Sequence, residues 1–181
     1  MELFEKTLTS KTLFEGKVVN LKVDTAQLPD GREAYREVVE HPGGVCIAAV
    51  DEEGYVYLVE QWRYPFAEVV MELPAGKLER GEDPDLAAAR ELREETGFTC
   101  ESLKKVGVSY SSPGFCSEVI HLYIADGLKK GSQDLDDGEF LNLTRMPLSE
   151  AVEMAVDGRI KDGKTVTAVL KTKLLLLREN H

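Results

Sequence analysis

Short runs of alternating apolar and polar residues occupy the first part of the chain and predict β-strands there. Residues 18–23 and 34–39 both follow this pattern, and the Pro-Asp-Gly sequence between them is typical of a tight turn. We therefore predict an antiparallel β-hairpin near the N-terminus. A Pro-Gly-Gly sequence directly after His41 interrupts the pattern. We place a domain boundary there, between an extension at residues 1–42 and a main domain at residues 43–181.

The main domain alternates between strand patterns and helix patterns. Its predicted strands cover residues 45–50, 55–63, 71–73, 106–110, 119–125 and 140–144. Two helices are predicted after the last of these strands, one that Ser149 caps and one that begins after Asp162. The apolar stripe of the final helix is predicted at Val166, Val169, Leu170, Leu174 and Leu177. This order of elements favours an α/β or α+β domain in which helices cover a mixed sheet.

The clearest helix signal lies at residues 84–96. Asp83 is a suitable N-cap, Pro84 suits the first helical position, and Gly97 suits the residue that follows the helix. We expect the apolar side of this helix to press it onto the sheet. That side is predicted to consist of Leu86, Ala89 and Leu92.

Composition and charge narrow the classes of partner. The chain has 181 residues, of which 43% are hydrophobic, and this suits one compact domain with a small extension. It carries 33 Asp and Glu residues against 22 Lys and Arg residues, a formal net charge of −11. Nucleic acids and anionic membranes require a basic surface patch, so this balance argues against both as partners. An acidic protein that handles a phosphorylated substrate needs a divalent cation to reverse the local field.

The cysteines and the hydropathy indicate a compartment. Cys46, Cys100 and Cys116 are odd in number and lack C-x-x-C spacing, so we interpret them as reduced thiols. No apolar run approaches the roughly 20 residues that cross a bilayer. The first residues also lack the basic and then apolar order of a signal peptide. We therefore expect a cytoplasmic protein with no membrane partner.

Three glutamates on the central helix are the first candidates for chemistry. Glu91, Glu94 and Glu95 stand at spacings i, i+3 and i+4, so their carboxylates project from one helical face. Clustered carboxylates supply the hard oxygen ligands that magnesium or manganese requires. The alternative interpretation is a solvated acidic face. Arg90 stands four residues before Glu94 and would pair with it or reach back to Glu82.

A longer pattern separates these two interpretations. The chain follows Gly-x5-Glu-x7-Arg-Glu-Leu-x-Glu-Glu-x-Gly-Phe from Gly76 to Phe98. At average residue usage, seven such identities coincide in roughly one window in 10⁸. The segment resembles the Nudix box, and the surrounding order of elements resembles the Nudix hydrolase family. The resemblance implies an α/β/α sandwich with a mixed sheet, here preceded by an antiparallel β extension. It also implies an enzyme that hydrolyses a nucleoside diphosphate linked to another group.

The resemblance assigns roles to the residues in and beside the box. Glu91 and Glu95 would be the principal metal ligands. Glu94 would support metal binding and catalysis, and the backbone carbonyl of Ala75 would complete the shell of the first ion. The implied cofactor is Mg²⁺, with Mn²⁺ as a substitute, in two or three ions. The structural members of the box would be Gly76, Glu82, Arg90 and Gly97.

Residues outside the box resemble the ADP-ribose pyrophosphatase branch of the family. Arg63, in a Gln-Trp-Arg-Tyr-Pro sequence, matches an arginine that contacts substrate phosphate or ribose. Pro113 fills the position, about sixteen residues past the box, at which this branch carries a proline. A surface salt bridge for the arginine and an ordinary Ser-Pro-Gly turn are the alternatives. Further candidate substrate contacts in the proline loop are Ser112, Gly114, Phe115 and Glu118.

Three more features follow from the same resemblance. Glu118 would either ligate metal or hold the proline loop. Glu139, in an acidic loop before a strand, matches the catalytic glutamate of the branch and would act as a mobile general base. Tyr35 lies near the position of an aromatic residue that stacks on adenine, although packing is the ordinary role of a strand tyrosine. The N-terminal hairpin resembles an extension that is exchanged between the subunits of a homodimer.

The implied reaction is hydrolysis of the diphosphate of a nucleoside-diphosphate sugar, with ADP-ribose giving AMP and ribose 5-phosphate. The first alternative is the same chemistry on GDP-mannose, a UDP-sugar or a damaged nucleoside triphosphate. An alternative of another class is a non-catalytic Nudix module that senses nucleotide sugars. All the glutamates of the box are present, and the chain has no basic recognition helix, so the catalytic hypothesis is favoured.

Overall fold

A computed structural model describes residues 3–179 of the chain. Its backbone contacts divide the chain into two compact units. The first unit comprises the described residues up to Gly43 together with Tyr110–Val119. The second unit comprises Gly44–Ser109 and the described residues from Ile120 onward.

The first unit contains a three-stranded antiparallel sheet. Strands β1 (Lys6–Glu15), β2 (Asn20–Gln27) and β3 (Glu33–Glu40) follow one another in sheet order. The predicted hairpin corresponds to β2 and β3, with Gly31 between them at a φ of +87°. The sequence pattern does not predict β1, because all ten residues of this strand are exposed and apolar residues do not alternate along it. The extension is therefore a three-stranded sheet and not a two-stranded hairpin.

A segment from later in the chain joins the first unit through β3. Val39 N donates to the Phe115 carbonyl at 2.7 Å, and Ser117 N donates to the Val39 carbonyl at 2.9 Å. The backbone N–H of His41 donates to Ser117 Oγ at 3.1 Å. The predicted proline loop lies in this segment, so it belongs to the same unit as the N-terminal sheet.

The second unit carries the other described strands and the helices. Its strands are β4 (Gly44–Ala49), β5 (Tyr55–Arg63), β6 (Glu68–Glu72), β7 (Ala75–Lys77), β8 (Phe98–Thr99), β9 (Ser102–Tyr110), β10 (Val119–Asp126), β11 (Lys129–Lys130) and β12 (Leu141–Pro147). Its helices are α1 (Pro84–Thr96), α2 (Leu148–Asp157) and α3 (Gly163–Glu179).

Two larger sheets and one strand pair organise this unit. A four-stranded mixed sheet has the order β7-β4-β10-β9, in which β4 runs parallel to β10 and antiparallel to β7. A three-stranded antiparallel sheet has the order β12-β5-β6, and β8 pairs with β11. The mixed sheet predicted from the sequence is confirmed.

Strand β4 is buried on both of its faces. Successive strand residues point to opposite sides, so Val45 and Ile47 pack with Leu92 of α1 while Cys46 packs with Val169 of α3. Helices therefore cover both faces of this sheet. This is the α/β/α arrangement that the sequence predicts.

The buried face of α1 differs from the predicted one. Leu86 is 69% exposed and Ala89 is also exposed, so neither presses the helix onto the sheet. Two alanines take their place, and their small side chains allow a close approach between helix and strand. The buried apolar residues of α1 are Ala87, Ala88 and Leu92.

The later helices also differ from the predictions in detail. Pro147 takes the N-cap position of α2 without a side-chain hydrogen bond, so Ser149 is not the cap. Asp162 precedes α3 as predicted, but Leu174 and Leu177 of its predicted stripe are exposed. Two apolar residues of α3 are fully buried. Val169 belongs to the predicted stripe, whereas Ala168 does not. Within residues 3–179, no helix has both the length and the apolar character that a membrane crossing requires.

Candidate active site

Capping fixes both ends of the helix that carries the clustered glutamates. Asp83 Oδ1 accepts a hydrogen bond from Asp85 N at 2.8 Å, and Pro84 occupies the first helical position. Gly97 adopts a left-handed conformation with a φ of 74°, and its N–H donates to the Arg93 carbonyl at 2.8 Å. The predicted boundaries of α1 are confirmed, and they set the direction in which its glutamates project.

Two of these glutamates lie against the strand that begins at Ala75. Glu95 is 4% exposed, and its Oε2 accepts a hydrogen bond from Ala75 N at 2.9 Å. The Glu91 carboxylate lies so close to Gly76 that a Cβ added there would lie 1.9 Å from Glu91 Oε1. The close approach of strand and helix therefore requires glycine at residue 76. The structure brings four of the predicted site residues together here.

Arg90 connects α1 to the loop that precedes it. Its Nε and Nη2 donate to Glu82 Oε1 and Oε2 at 2.9 and 3.0 Å. Its Nη1 donates to Glu91 Oε1 at 2.8 Å and to Glu94 Oε2 at 2.9 Å. The Glu82 carboxylate also accepts from Glu79 N at 2.9 Å. Both of the pairings expected for Arg90, with Glu94 and with Glu82, are present.

The acids on α1 form a concentration of negative charge. Burial raises the pKa of Glu95 to about 8, and the charges of Glu91 and Glu139 add to this rise. Burial also raises the pKa of Glu91, even though the charge and the hydrogen bond of Arg90 oppose the shift. Buried carboxylates with raised pKa values are groups whose charge a bound cation would stabilise.

The donor set fits a hard divalent cation. Within residues 3–179, no group of three or more His, Cys, Asp or Glu side chains is arranged so that it could hold a metal ion. In this structure Glu91 and Glu94 both bind Arg90, and Glu95 binds the backbone N–H of Ala75. Carboxylate oxygens are nevertheless the ligands that such a cation prefers, and the charge at Glu91 and Glu95 is only partly neutralised by protein groups. These residues therefore suit a divalent ion.

Arg63 ends β5 and is held by a buried glutamate. Its Nε and Nη2 donate to Glu72 Oε1 and Oε2 at 2.5 and 2.6 Å. The hydrogen bonds to Glu72 raise the pKa of Arg63, and the charge of Glu95 makes a smaller contribution in the same direction. Arg63 is thus a salt-bridge partner of Glu72, as one interpretation expected.

The loop that contains Glu139 is anchored to the C-terminal end of α1. Gln133 Nε2 donates to the Glu95 carbonyl, and Asp134 N donates to the Glu94 carbonyl at 3.1 Å. Glu139 itself is exposed, and its charge contributes to the raised pKa of Glu95. The structure therefore brings Glu139 within electrostatic reach of the box glutamates.

A cavity of about 400 Å³ beside Glu139 contains two aromatic residues that the sequence pattern does not single out. Trp62 is 57% exposed and Phe140 is 86% exposed, and both line this cavity. Their position in the sequence could have identified them as candidates, because Trp62 directly precedes Arg63 and Phe140 directly follows Glu139. Exposed aromatic side chains in a cavity offer flat apolar faces to a ligand.

The proline loop is closed by its own backbone within the first unit. The Ser112 carbonyl accepts hydrogen bonds from Phe115 N at 3.1 Å and from Cys116 N at 2.9 Å. Pro113 and Gly114 lie inside this turn, and Phe115 is 56% exposed. The turn that the Ser-Pro-Gly sequence predicts is therefore present.

Glu118 supports the proline loop. It accepts a hydrogen bond from Ser111 Oγ, and its Oε1 lies 3.2 Å from His41 Nδ1. These contacts favour the loop-holding role over the metal-ligand role that the sequence left open. Tyr35, on β3 of the same unit, presents a mostly exposed side chain.

The fold and the glutamate-bearing helix together define the class of Nudix domains, and comparison with known proteins agrees. The family model described as the NUDIX domain matches residues 40–169. A second model, described as the nucleoside diphosphate sugar hydrolase N-terminal domain, matches residues 5–39. The chain belongs to the Nudix family of hydrolases, which generally depend on a divalent metal ion.

Individual relatives extend this likeness along the chain. A methanol dehydrogenase activator from Bacillus methanolicus is 46% identical over 91% of this chain and 90% of its own length. An ADP-ribose pyrophosphatase from Bacillus subtilis (strain 168) is 40% identical over 92% of this chain and 91% of its own length. A solved structure of an ADP compounds hydrolase has a TM-score of 0.86, with 20% identity, over 99% of this chain and 98% of that one. This last likeness shows the fold.

Proposed function

We propose that this protein hydrolyses the diphosphate of a nucleoside-diphosphate sugar and that ADP-ribose is its substrate. The observation that carries the proposal is the placement of Glu95 and Glu91 against Ala75 and Gly76, three and four residues after the Glu72 that binds Arg63. A diphosphate needs a donor to its oxygens and a cation-binding acidic group at one site. The ADP-ribose pyrophosphatase of Bacillus subtilis, 40% identical, supports the choice of ADP-ribose.

Residues of this chain divide the work of the reaction. Water attacks one phosphorus, the P–O bond of the anhydride breaks, and the leaving phosphate oxygen keeps the electron pair. AMP and ribose 5-phosphate are the products. Glu139 accepts the proton of the attacking water, and its exposed loop allows it to approach once the substrate is bound. Arg63 donates to phosphate oxygens and holds the diphosphate in place.

The cofactor in this proposal is Mg²⁺, in two or three ions, with Mn²⁺ as a substitute. Glu91 and Glu95 would hold the ions, with support from Glu94 and from the carbonyl of Ala75. When bound, the ions neutralise phosphate oxygens and lower the pKa of a water molecule. The burial of Glu95 and its raised pKa support this assignment, because an ion would remove the cost of its charge.

The remaining substrate contacts are proposed for the first unit. The turn closed by Ser112 would present Pro113, Gly114 and the exposed Phe115 to the substrate, and Tyr35 would stack on its adenine. In this proposal Glu118 acts on the substrate only by supporting the loop, since its carboxylate is already bound to Ser111.

The test compares substrates under one set of conditions. Turnover would be measured with Mg²⁺ for ADP-ribose, GDP-mannose, UDP-glucose and 8-oxo-dGTP, with added phosphatase to release phosphate from the products. We expect the highest kcat/KM for ADP-ribose. An equal or higher value for another substrate would reject ADP-ribose. Binding of nucleotide sugars without turnover would instead support the sensing module.

We also propose that the protein is a homodimer joined through the N-terminal sheet. All ten residues of β1 are exposed, and a large exposed apolar patch on a protein surface marks an interaction site. The large exposed apolar side chains of this region include Leu3, Phe4, Leu8, Leu13 and Phe14. Light scattering after size exclusion tests the proposal: we expect the mass of two chains, and a monomer at micromolar concentration would contradict it.

The three free cysteines suit a reducing cytoplasm.

A second candidate function is the regulation of a dehydrogenase. The observation that favours it is the 46% identity to a methanol dehydrogenase activator. The two functions are separable, because a regulator that acts by binding alone does not need the buried Glu95 carboxylate. The test adds the wild-type protein or its Glu95→Gln variant to a methanol dehydrogenase. Activation by the wild type and not by the variant would tie regulation to hydrolysis, and no activation by either would reject the second candidate.

A further inference from the structure

A network of four charged side chains lies at the start of α3, outside the roles described above. Lys164 Nζ donates to Glu72 Oε2 and lies 3.0 Å from Asp162 Oδ2. The same Glu72 carboxylate accepts both hydrogen bonds from Arg63. Two cations and two anions are thus joined, and they connect the proposed phosphate-binding arginine to the first turn of a helix.

We propose that Lys164 is a positioning residue for the hydrolysis, because it fixes the carboxylate that holds the Arg63 guanidinium toward the substrate. The inference rests on the proposed function, in which Arg63 binds the diphosphate. In this proposal Lys164, which lines the same cavity as Arg63, acts through Glu72 and not through a contact of its own with the substrate.

The hydrogen bonds of Arg63 leave one edge of its guanidinium available. A guanidinium has five N–H donors in a fixed fork. Glu72 takes the Nε hydrogen and one Nη2 hydrogen, and the structure shows no other hydrogen-bond partner for the Arg63 guanidinium among residues 3–179. Both hydrogens of Nη1 and one of Nη2 therefore remain for two oxygens of a phosphate, which match this edge in a bidentate contact. The direction of that edge depends on where Glu72 is held.

Glu72 is held because two cations share it in a buried position. Its side chain is 2% exposed and that of Lys164 is 17% exposed, so water offers little competition for their contact. Burial alone would raise the pKa of Glu72, but the hydrogen bonds from Arg63 and the charge of Lys164 outweigh it and lower the pKa. Glu72 is therefore a fixed anion. Without Lys164 it would keep only the contact with the arginine that it is meant to orient.

The first turn of α3 also fixes the backbone next to Glu72. Leu73 N donates to Thr165 Oγ1 at 2.8 Å, and Thr165 Oγ1 donates to Asp162 Oδ2 at 2.6 Å. Asp162 thus accepts from this hydroxyl while it also contacts the Lys164 ammonium. The side chain of Glu72 and the backbone of Leu73 are thus both anchored to the start of α3, two to three residues before Ala75. This double anchor is the rigid support that precise placement of Arg63 needs.

A neighbouring lysine provides a matched control. Lys161 Nζ lies 2.7 Å from Glu68 Oε2, and its side chain is 63% exposed. It lies three residues from Lys164 and also borders the cavity of about 320 Å³ that Arg63 lines, but it makes no contact with Glu72. Exposed pairs of this kind contribute little, so its removal isolates the general effect of losing one positive charge here.

The experiment measures kcat/KM for ADP-ribose in a double-mutant cycle of the full chain. Lys164→Met should lower kcat/KM by about 10-fold or more, since small misplacements of a binding group have effects of this size. Lys161→Met should change it by less than about 2-fold. In the Arg63→Ala background, Lys164→Met should cause no further loss, because its effect passes through Arg63. The same loss in both backgrounds, or no loss with wild-type Arg63, would overturn the proposal.

Two further measurements keep the outcomes distinct. If Lys164→Met does not fold, as judged by its thermal transition, the same cycle is run with Asp162→Asn, which keeps an acceptor for Thr165 but removes the charge beside Lys164. Unchanged activity in Arg63→Ala would reject the proposed role of Arg63 and this inference with it. A strong loss in Arg63→Ala without any loss in the network variants would reject only the inference.

Discussion

The Glu91 carboxylate occupies the space that a side chain at residue 76 would need. A Cβ built on Gly76 would lie 1.9 Å from Glu91 Oε1 and 2.0 Å from its carboxyl carbon. Real atoms do not approach so closely, so any other residue at position 76 must displace the carboxylate or the strand. Glycine at residue 76 therefore leaves room for the carboxylate of Glu91, a candidate metal ligand.

We predict that Gly76→Ala weakens metal binding. The substitution should weaken Mg²⁺ binding by about 10-fold or more, a loss typical of displaced support around a metal ligand. Turnover of ADP-ribose should fall with it. Isothermal titration with Mg²⁺ and steady-state kinetics measure the two effects. Gly163→Ala is the control, because a Cβ there meets no atom within 4 Å. Normal Mg²⁺ affinity in Gly76→Ala would contradict the prediction.

Removal of Arg90 should destabilise the protein, because three carboxylates lose a shared donor. We expect Arg90→Gln to lower the free energy of unfolding by about 2 kcal/mol, between the values for exposed and buried ion pairs. For a chain of this size the melting temperature would fall by roughly 4–8 °C. Arg93→Gln on the same helix is the matched control, since Arg93 lies 3.4 Å from Glu94 and is half exposed. Calorimetry that finds equal losses in both variants would refute the special role of Arg90.

Local signals explain why the sequence predicts α1 so closely. The cap at Asp83, the proline at the first helical position and the glycine after the last turn all act within a few residues, and the structure has the helix between the same limits. The spacing of Glu91 and Glu95 within that helix is equally local. The strand β1 lacks a comparable signal, because an exposed strand need not alternate apolar and polar residues.

Contacts between distant residues could not be predicted in this way. Glu72 lies 9 residues from Arg63 and 92 residues from Lys164, and no pattern in the chain links them. The buried face of a helix also depends on distant contacts. Leu86 and Leu174 are apolar but exposed, because their helices pack through other faces. The helix and the spacing of its glutamates were thus accessible from the sequence, whereas the contacts that join Arg63, Glu72 and Lys164 were not.

Two glutamates near the site should respond differently to the loss of their charge. Glu95→Gln should abolish most turnover and weaken Mg²⁺ binding, because this buried carboxylate is a proposed ligand. Glu139→Gln should lower kcat by about 10²- to 10⁴-fold, the range for loss of a general base, with little change in Mg²⁺ affinity. Kinetics and metal titration of both variants measure the difference. Equal losses of metal affinity would make Glu139 a ligand and not a base.

The pKa of Glu95 predicts how the stability of the metal-free protein depends on pH. Burial raises this pKa to about 8, from the ordinary value of 4.5, so the folded protein binds a proton that the unfolded chain releases. The stability contributed by that proton is fully present below the unfolded pKa and is lost as the pH rises toward 8. We therefore expect the melting temperature without metal to fall between about pH 6 and pH 8.5.

Magnesium should reverse this trend, because in the proposed function it would bind the ionised carboxylate, and only the folded chain would offer the site. The rise in melting temperature on addition of Mg²⁺ should be larger at about pH 8.5 than at about pH 6. Glu95→Gln is the control for other titrating groups: the amide cannot ionise, so its metal-free stability should lose less over the same pH range. Differential scanning calorimetry of both proteins, with EDTA or with Mg²⁺, makes the comparison. Identical pH profiles for the wild type and the variant would show that Glu95 titrates as an ordinary glutamate and that its burial does not govern metal binding.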